Sequence, residues 1–151
     1  MSAMEPLYRI VGIFSNNLTK QERSILEIEI FVRICEELKK IFKSKYKDYF
    51  YLMKFNFEME NAMLDTNLLK YVINDILLTE EYSMEGLAYY TQTSVDVISD
   101  LIAGRNDTPS VYLFRKIIDI HRSVRKNLYE EIIKKINFGS SRGVQANHEQ
   151  F

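Results

Sequence analysis

The sequence predicts a mainly α-helical fold whose N-terminal extension combines a helix with a small two-stranded β element. From residue 66 to about residue 137, apolar residues recur at helical spacing. Residues 19–42 contain a helix start followed by a long apolar stripe, whereas residues 7–14 and 51–60 have the composition of strands. The predicted organisation is an extension over residues 1–63, a helical domain over residues 64–137 and a polar, flexible tail over residues 138–151.

The composition limits which classes of protein this chain can belong to. A chain of 151 residues with 46% hydrophobic residues can bury a sizeable core, and its net charge of −1 gives no global attraction to nucleic acid or membrane. Cys35 is the only cysteine, which excludes an internal disulfide and fits a reducing cytosol. No apolar run approaches the roughly 20 residues of a spanning helix, and the start has no basic signal-peptide region. We therefore expect a cytoplasmic protein without membrane contact.

The two strand predictions come from short segments of the extension. Residues 7–14, LYRIVGIF, are β-branched and aromatic and end at SNN, which indicates a strand or extended arm. Residues 51–60, YLMKFNFEME, alternate apolar and polar side chains, as a strand with one buried face does. A helix running on into ENAML is the alternative for the second segment, because Met and Glu favour helix.

A helix is expected to start at Thr19, because TKQE has the capping-box spacing between Thr19 and Glu22. Its apolar stripe is too wide for a single neighbour to cover. The alternatives are a core helix packed on two sides and a dimerising coiled coil. With the surplus aromatics of residues 46–57, the stripe predicts a homodimer formed through residues 1–60. Its members are Ile28, Phe31, Cys35, Leu38 and Phe42, with Ile30, Ile34 and Ile41 on a neighbouring face.

Five consecutive helices are predicted in the helical domain. The first covers TNLLKYVINDILL, two short ones lie within SMEGLAYYTQTSVDVISDLIAG, and two more follow in PSVYLFRKIIDIHRSV and RKNLYEEIIKKI. The two short helices can bury their apolar faces only by crossing steeply, which the small Ala88 permits. The predicted shared core is Leu87, Ala88, Ile98, Leu101, Leu113 and Ile117.

Within this motif a helix cap, a leucine-alanine pair, a turn, a serine and a helix that ends in glycine follow one another. In this order, residues 66–122 resemble the Cro-type (XRE-like) helix-turn-helix family. The resemblance implies that Leu87 and Ala88 lie in the core of the first motif helix. It also implies that Gly104 follows the second helix in a left-handed conformation and that Pro109 opens the next helix. The implied function is that of a transcriptional regulator that binds double-stranded DNA as a two-fold dimer.

Several residues depart from that family's pattern. Gln92 stands where the family has glycine in the turn, and Met84 replaces a glutamine that touches phosphate. The face of the second helix carries no Arg, Lys, Asn or Gln, the residue types on which base readout depends. Acids outnumber bases over residues 83–110, which opposes approach to phosphates. The predicted recognition-helix face consists of Ser94, Val95, Asp96, Ser99, Asp100 and Ala103.

Basic residues collect elsewhere, over residues 39–54 and 111–137, and such runs are either solvated helix faces or a nucleic-acid patch. Tyr89 and Tyr90 stand where the family has polar residues. At least one is then exposed to contact a phosphate or a protein, with partial burial against the N-terminal segment as the alternative. The candidate phosphate or partner contacts are Tyr89, Tyr90, Arg105, Arg115, Lys116, Arg122, Arg125 and Lys126.

No pattern in the sequence predicts an enzyme, a metal site or a cofactor. His121 and His148 lack metal-ligand spacing, and Ser94 fits a helix cap better than a nucleophile. Two function hypotheses remain. The first is a transcriptional regulator that binds DNA weakly or through a non-standard surface. The second is a protein-protein interaction module whose acidic motif helix meets a basic partner.

Overall fold

The computed structural model describes residues 5–13, 17–48, 57–106 and 108–136, and these residues are mainly helical and form no strand. By packing, the chain divides into two compact units. The first comprises Met1–Leu38 and Asn127–Phe151, and the second comprises Lys39–Lys126. None of the described helices is long and apolar enough to cross a membrane. The helices are α1 (Leu7–Ile10), α2 (Lys20–Lys45), α3 (Phe57–Leu78), α4 (Met84–Thr91), α5 (Val95–Ala103), α6 (Val111–Val124) and α7 (126–136).

The prediction of a strand over residues 7–14 is wrong, because Leu7–Ile10 form a single helical turn. The N–H of Val11 donates to the carbonyl of Leu7 at 3.1 Å, and the N–H of Tyr8 donates to the Glu27 carboxylate at 2.9 Å. A strand needs a neighbouring strand for these groups. The described residues offer none, so the helical turn and Glu27 satisfy them instead.

The second strand prediction also fails where it can be compared. Residues 57–60 belong to α3, in agreement with the helical alternative that Met and Glu favoured, while residues 51–56 lie outside the described residues. The predicted start of this helix at residue 66 is likewise corrected. The helix begins at Phe57 and continues through non-helical backbone angles at Asn67 (φ −118°, ψ 20°). The predicted flexible tail lies outside the described residues.

Helix α2 starts where the capping box predicts. The N–H of Glu22 donates to the Thr19 hydroxyl at 3.1 Å, and that hydroxyl donates to the Glu22 carboxylate at 3.1 Å. Three members of the predicted stripe are buried, Phe31 is half-buried and Ile28 is exposed. On the neighbouring face Ile30 and Ile34 are buried as well, so burial takes in parts of both predicted faces. The buried residues of α2 are Ile30, Ile34, Cys35, Leu38 and Phe42.

In the second unit, α3 packs on α5 and α6, and α4 packs on the same two helices. The six core residues predicted for this region are all buried, from Leu87 in α4 to Ile117 in α6. Helix α3 completes the core with one continuous apolar face. Its buried residues there include Leu64, Leu68, Leu69, Val72, Ile73 and Ile76.

Local chemistry fixes the ends of the two motif helices. The Ser83 hydroxyl accepts from the N–H of Gly86 at 3.0 Å, and the Ser94 hydroxyl accepts from the N–H of Val97 at 3.4 Å. Gln92 ends α4 in the left-handed conformation (φ 59°, ψ 39°), and Gly104 ends α5 in the same way (φ 74°). These roles of Ser94 and Gly104 were predicted from the sequence.

Helix α6 begins at Val111, two residues later than predicted. The hydroxyl of Ser110 accepts from the N–H of Leu113 at 3.1 Å, so Ser110 is the N-cap and Val111 is the first helical residue. Pro109 therefore precedes the cap and does not open the helix. A serine hydroxyl supplies the acceptor that the first turn requires, whereas proline has none in its side chain.

Candidate functional site

Helices α4 and α6 expose a group of large apolar and aromatic side chains. Tyr89 is 86% exposed and Val111 is 75% exposed, while Tyr90 and Tyr112 are each more than half exposed. Of the two alternatives for Tyr89 and Tyr90, exposure is therefore correct for both. We call these four residues the tyrosine surface. Tyr90 is braced by Tyr82, whose ring meets it edge-on with a centroid distance of 6.0 Å.

Lys116 contacts both helices that carry the tyrosine surface. Its side chain is buried, and its Nζ atom lies 3.5 Å from the carbonyl oxygen of Tyr90. The same atom lies 5.0 Å from the ring centroid of Tyr112. An ammonium group is attracted both to the carbonyl end of a helix and to an aromatic face. Lys116, a predicted phosphate contact, thus holds the end of α4 beside the start of α6.

The predicted recognition-helix face lies mostly at the surface. Ser94, Val95, Asp96 and Ala103 are exposed, whereas Ser99 and Asp100 are half-buried. The Nε atom of Arg105 lies 2.8 Å from the Oδ1 atom of Asp100; the arginine side chain is largely exposed and the aspartate side chain about half exposed. This pair partly offsets the negative charge that the sequence places on the face, leaving Asp96 as its most accessible acid.

Three more of the predicted basic contacts are engaged by acids of the same chain. The NH1 atom of Arg115 lies 3.3 Å from Asp119, and the NH2 atom of Arg122 lies 3.5 Å from the same oxygen. Arg125 forms a bidentate pair with Asp75. Lys126 is exposed. The charges of these three arginines are therefore partly offset by acids of the same chain.

The most elaborate polar cluster in the described chain is centred on Asp75, and the sequence did not single it out. Its carboxylate lies 2.7 Å from Nε2 of His121 and 3.1 Å from Nζ of Lys45, and it accepts two bonds of 3.0 Å from Arg125. Asp75 and His121 are buried. The available signal was a lone acid inside the apolar run YVINDILL, since a buried charge needs partners.

Two opposing effects act on Asp75. Burial alone would raise the pKa of this carboxyl group, but hydrogen bonds from His121, Arg125 and Lys45 hold its pKa well below the usual range. Asp75 is therefore ionised and can only accept hydrogen bonds, so the Nε2 atom of His121 carries the hydrogen between them. The cluster satisfies a buried charge and ties elements of the second unit together.

Among the residues that the structure describes, no three His, Cys, Asp or Glu side chains are placed to hold a metal ion. Comparisons with protein-family models, with curated proteins and with solved structures found no match to this chain. The resemblance to Cro-type helix-turn-helix proteins therefore depends on the residues of the motif itself.

Proposed function

We propose that the chain is a protein-interaction module on a helix-turn-helix-like scaffold and that its tyrosine surface binds the partner. The observation that carries this proposal is the exposure of Tyr89, Tyr90, Val111 and Tyr112 on adjoining helices. Tyrosine combines a large apolar area with few rotatable bonds and dominates the centres of many protein interfaces. Because Lys116 fixes both sides of the surface, little ordering is required when a partner binds.

Charge favours a basic partner. Glu85 is exposed in the first turn of α4, and Asp96 is exposed in the first turn of α5, which packs on α4. The arginines of α6 are held close to the carboxylate of Asp119. A partner with lysine or arginine around an apolar centre complements such a surface, and complementary charge mainly sets specificity and association rate.

The experiment compares partner capture by the full chain and by a Tyr89→Ser/Tyr112→Ser variant, with quantitative mass spectrometry of the retained proteins. We expect the variant to remain folded and to lose at least one protein that the wild type retains. Leu78→Ser is the matched control, because Leu78 is also an exposed apolar residue but lies at the end of α3. Identical sets of retained proteins from wild type and double variant would contradict the proposal.

A second candidate function is DNA binding by a transcriptional regulator through a non-standard surface. Its support is the capped pair α4 and α5, whose second helix turns Val95, Asp96 and Ala103 to solvent, together with exposed Arg105 and Lys126. Fluorescence anisotropy with a generic duplex tests it. Binding that weakens steeply between 50 and 200 mM salt, by about 10³-fold or more for six phosphate contacts, would favour DNA over protein as the ligand.

A further inference from the structure

Two basic segments that lie far apart in the sequence meet at Asp75, within the second unit. Lys45 is the last residue of α2, and Arg125 is the residue at which α6 ends. The Nζ atom of Lys45 lies 3.1 Å from Oδ1 of Asp75, and the NH2 atom of Arg125 lies 3.0 Å from the same oxygen. The two cationic atoms are therefore no more than about 6 Å apart, close enough to contact one phosphate group through N–H bonds of about 2.8 Å.

The two cations are held in place and still face solvent. The side chain of Asp75 is 5% exposed, whereas that of Lys45 is 42% exposed and that of Arg125 is 38% exposed. The Nζ atom of Lys45 also lies 5.8 Å from the ring centroid of Tyr46, and two hydrogen bonds to Asp75 orient the guanidinium group. Both groups have more N–H donors than these contacts use. Donors already positioned in this way lose little conformational freedom when a ligand binds.

The chain around this pair is basic on balance. The cluster is built from residues 43–48, 71–79 and 119–126, which contain six lysines and arginines and three aspartates. The aspartates are Asp48, Asp75 and Asp119. Residues 83–110 have the opposite balance, because acids outnumber bases there. The charge of the cluster therefore favours an anionic ligand.

We propose that Lys45 and Arg125 form a binding site for a phosphate group of the nucleic-acid backbone. The proposal rests on the second candidate function, DNA binding, and gives it a location outside the recognition-helix face. Nucleic acid is favoured among anionic ligands because its closely spaced phosphates hold condensed counterions, and the release of these ions drives binding to a few cations. Asp75 is a positioning residue that directs both cations and does not itself contact the ligand.

A site of this kind supplies affinity and orientation but does not read base sequence. This property agrees with the recognition-helix face, which carries no Arg, Lys, Asn or Gln for base readout. Lys47 and Lys126 are exposed, and each lies within two residues of one of the two cations along the chain. We expect these lysines to add contacts with neighbouring phosphates.

Fluorescence anisotropy with a labelled duplex between 50 and 200 mM salt tests the site in the full chain. Lys45→Gln should weaken binding about fivefold, since one phosphate contact is worth about 1 kcal/mol in water. It should also reduce the slope of log K against log salt by about 0.9. His121 and Arg125 still contact Asp75 in this variant, so the fold is retained. Lys45→Arg keeps the charge and should bind the duplex as the wild type does.

Two further variants separate the site from the total charge of the chain. Lys134→Gln makes the same change of charge on α7, where Lys134 pairs with Glu131 and both side chains are largely exposed. It should leave duplex binding unchanged. Lys47→Gln/Lys126→Gln removes two exposed cations that do not bind Asp75, and it should weaken binding by up to roughly thirtyfold.

Equal binding by wild type, Lys45→Gln and Lys134→Gln, or equal weakening by both variants, would overturn the proposal. So would displacement of the duplex by polyglutamate as effective as that by unlabelled duplex, or tighter binding to phosphatidylserine vesicles than to the duplex. If Arg105→Gln weakens duplex binding and Lys45→Gln does not, DNA binding stands and this location is wrong. If the wild type binds no duplex even at about 50 mM salt, both the location and DNA binding are wrong.

Discussion

The Nε2 atom of His121 in α6 lies 2.7 Å from the Oδ2 atom of Asp75 in α3. Arg125, the residue at which α6 ends, donates hydrogen bonds to the same carboxylate from both Nε and NH2. Lys45, at the end of α2, adds a fourth contact from a partly exposed position. Within the second unit, one carboxylate thus joins α3, the C-terminal end of α2 and the residue at which α6 ends.

The first prediction concerns the charge of Asp75. Asp75→Asn places an amide donor against the donors of His121, Arg125 and Lys45 and removes the charge that they share. We expect the free energy of unfolding to fall by about 3 kcal/mol, the lower end for breaking a buried ion pair, since Lys45 and Arg125 are partly exposed. Urea denaturation measures this loss. Asp119→Asn is the matched control and should cost less than about 1 kcal/mol, because Asp119 is more exposed.

The second prediction concerns acid. The pKa of Asp75 in the folded chain lies below its ordinary value of 3.8, so the folded state holds the carboxylate ionised more strongly than the unfolded state does. The stability it contributes is fully present above that ordinary value and is lost as the pH falls from it towards the lower pKa of the folded state. Denaturation curves between pH 5 and pH 2 should therefore show a smaller acid-induced loss for Asp75→Asn than for wild type. An equal loss in both proteins would assign the acid sensitivity to other groups.

The third prediction tests the crossing of the motif helices. Ala88 is buried where α4 packs on α5 and α6. Ala88→Leu should overpack this crossing and lower the free energy of unfolding by about 1 to 3 kcal/mol. Ala103→Leu, at an exposed position of α5, should change it by less than about 0.5 kcal/mol. If thermal melts of the two variants coincide, the crossing is not as tight as the burial of Ala88 indicates.

The fourth prediction uses two glycines with different backbones. Gly104 has φ 74°, and a Cβ atom there would lie 3.4 Å from Oδ1 of Asn67, so Gly104→Ala should cost about 1 kcal/mol. Gly86 lies in α4 without a positive φ, and its Cβ atom would make ordinary contacts with Ser83 and Tyr82. Gly86→Ala should stabilise by roughly 0.5 kcal/mol. Equal destabilisation by both substitutions would refute the role of backbone conformation.

The fifth prediction concerns DNA. Asp96→Asn with Asp100→Asn removes two charges from the recognition-helix face and releases Arg105 from its pair with Asp100. Non-specific duplex affinity should rise by up to roughly thirtyfold at low salt, since each of the two removed charges would interact with a phosphate about 4 Å away in water by about 1 kcal/mol. No sequence preference should appear before or after the change. A footprint on a defined operator that the double variant abolishes would instead mean that the aspartates read bases.

The sequence predicted those features whose causes lie within a few residues. The hydroxyls of Thr19 and Ser94 reach N–H groups three residues ahead, so their helix starts can be identified without the rest of the chain. Gly104 adopts a left-handed conformation for an equally local reason. The burial of Leu87 and Ile98 follows from helical spacing, because only one face of a short helix can be covered.

Features that depend on distant partners were not predictable in this way. Residues 7–10 have strand-like composition, but no described strand lies beside them. The Glu27 carboxylate accepts a hydrogen bond from the N–H of Tyr8 instead, and the segment forms a helical turn. Composition likewise predicted that Arg125 and Lys116 contact a phosphate or a partner. In the structure Asp75 binds Arg125, and Tyr90 and Tyr112 lie against Lys116. The sequence alone does not show these contacts. Charge is a property of the residue, but its availability to a partner is set by groups that only the tertiary fold brings within a few ångströms.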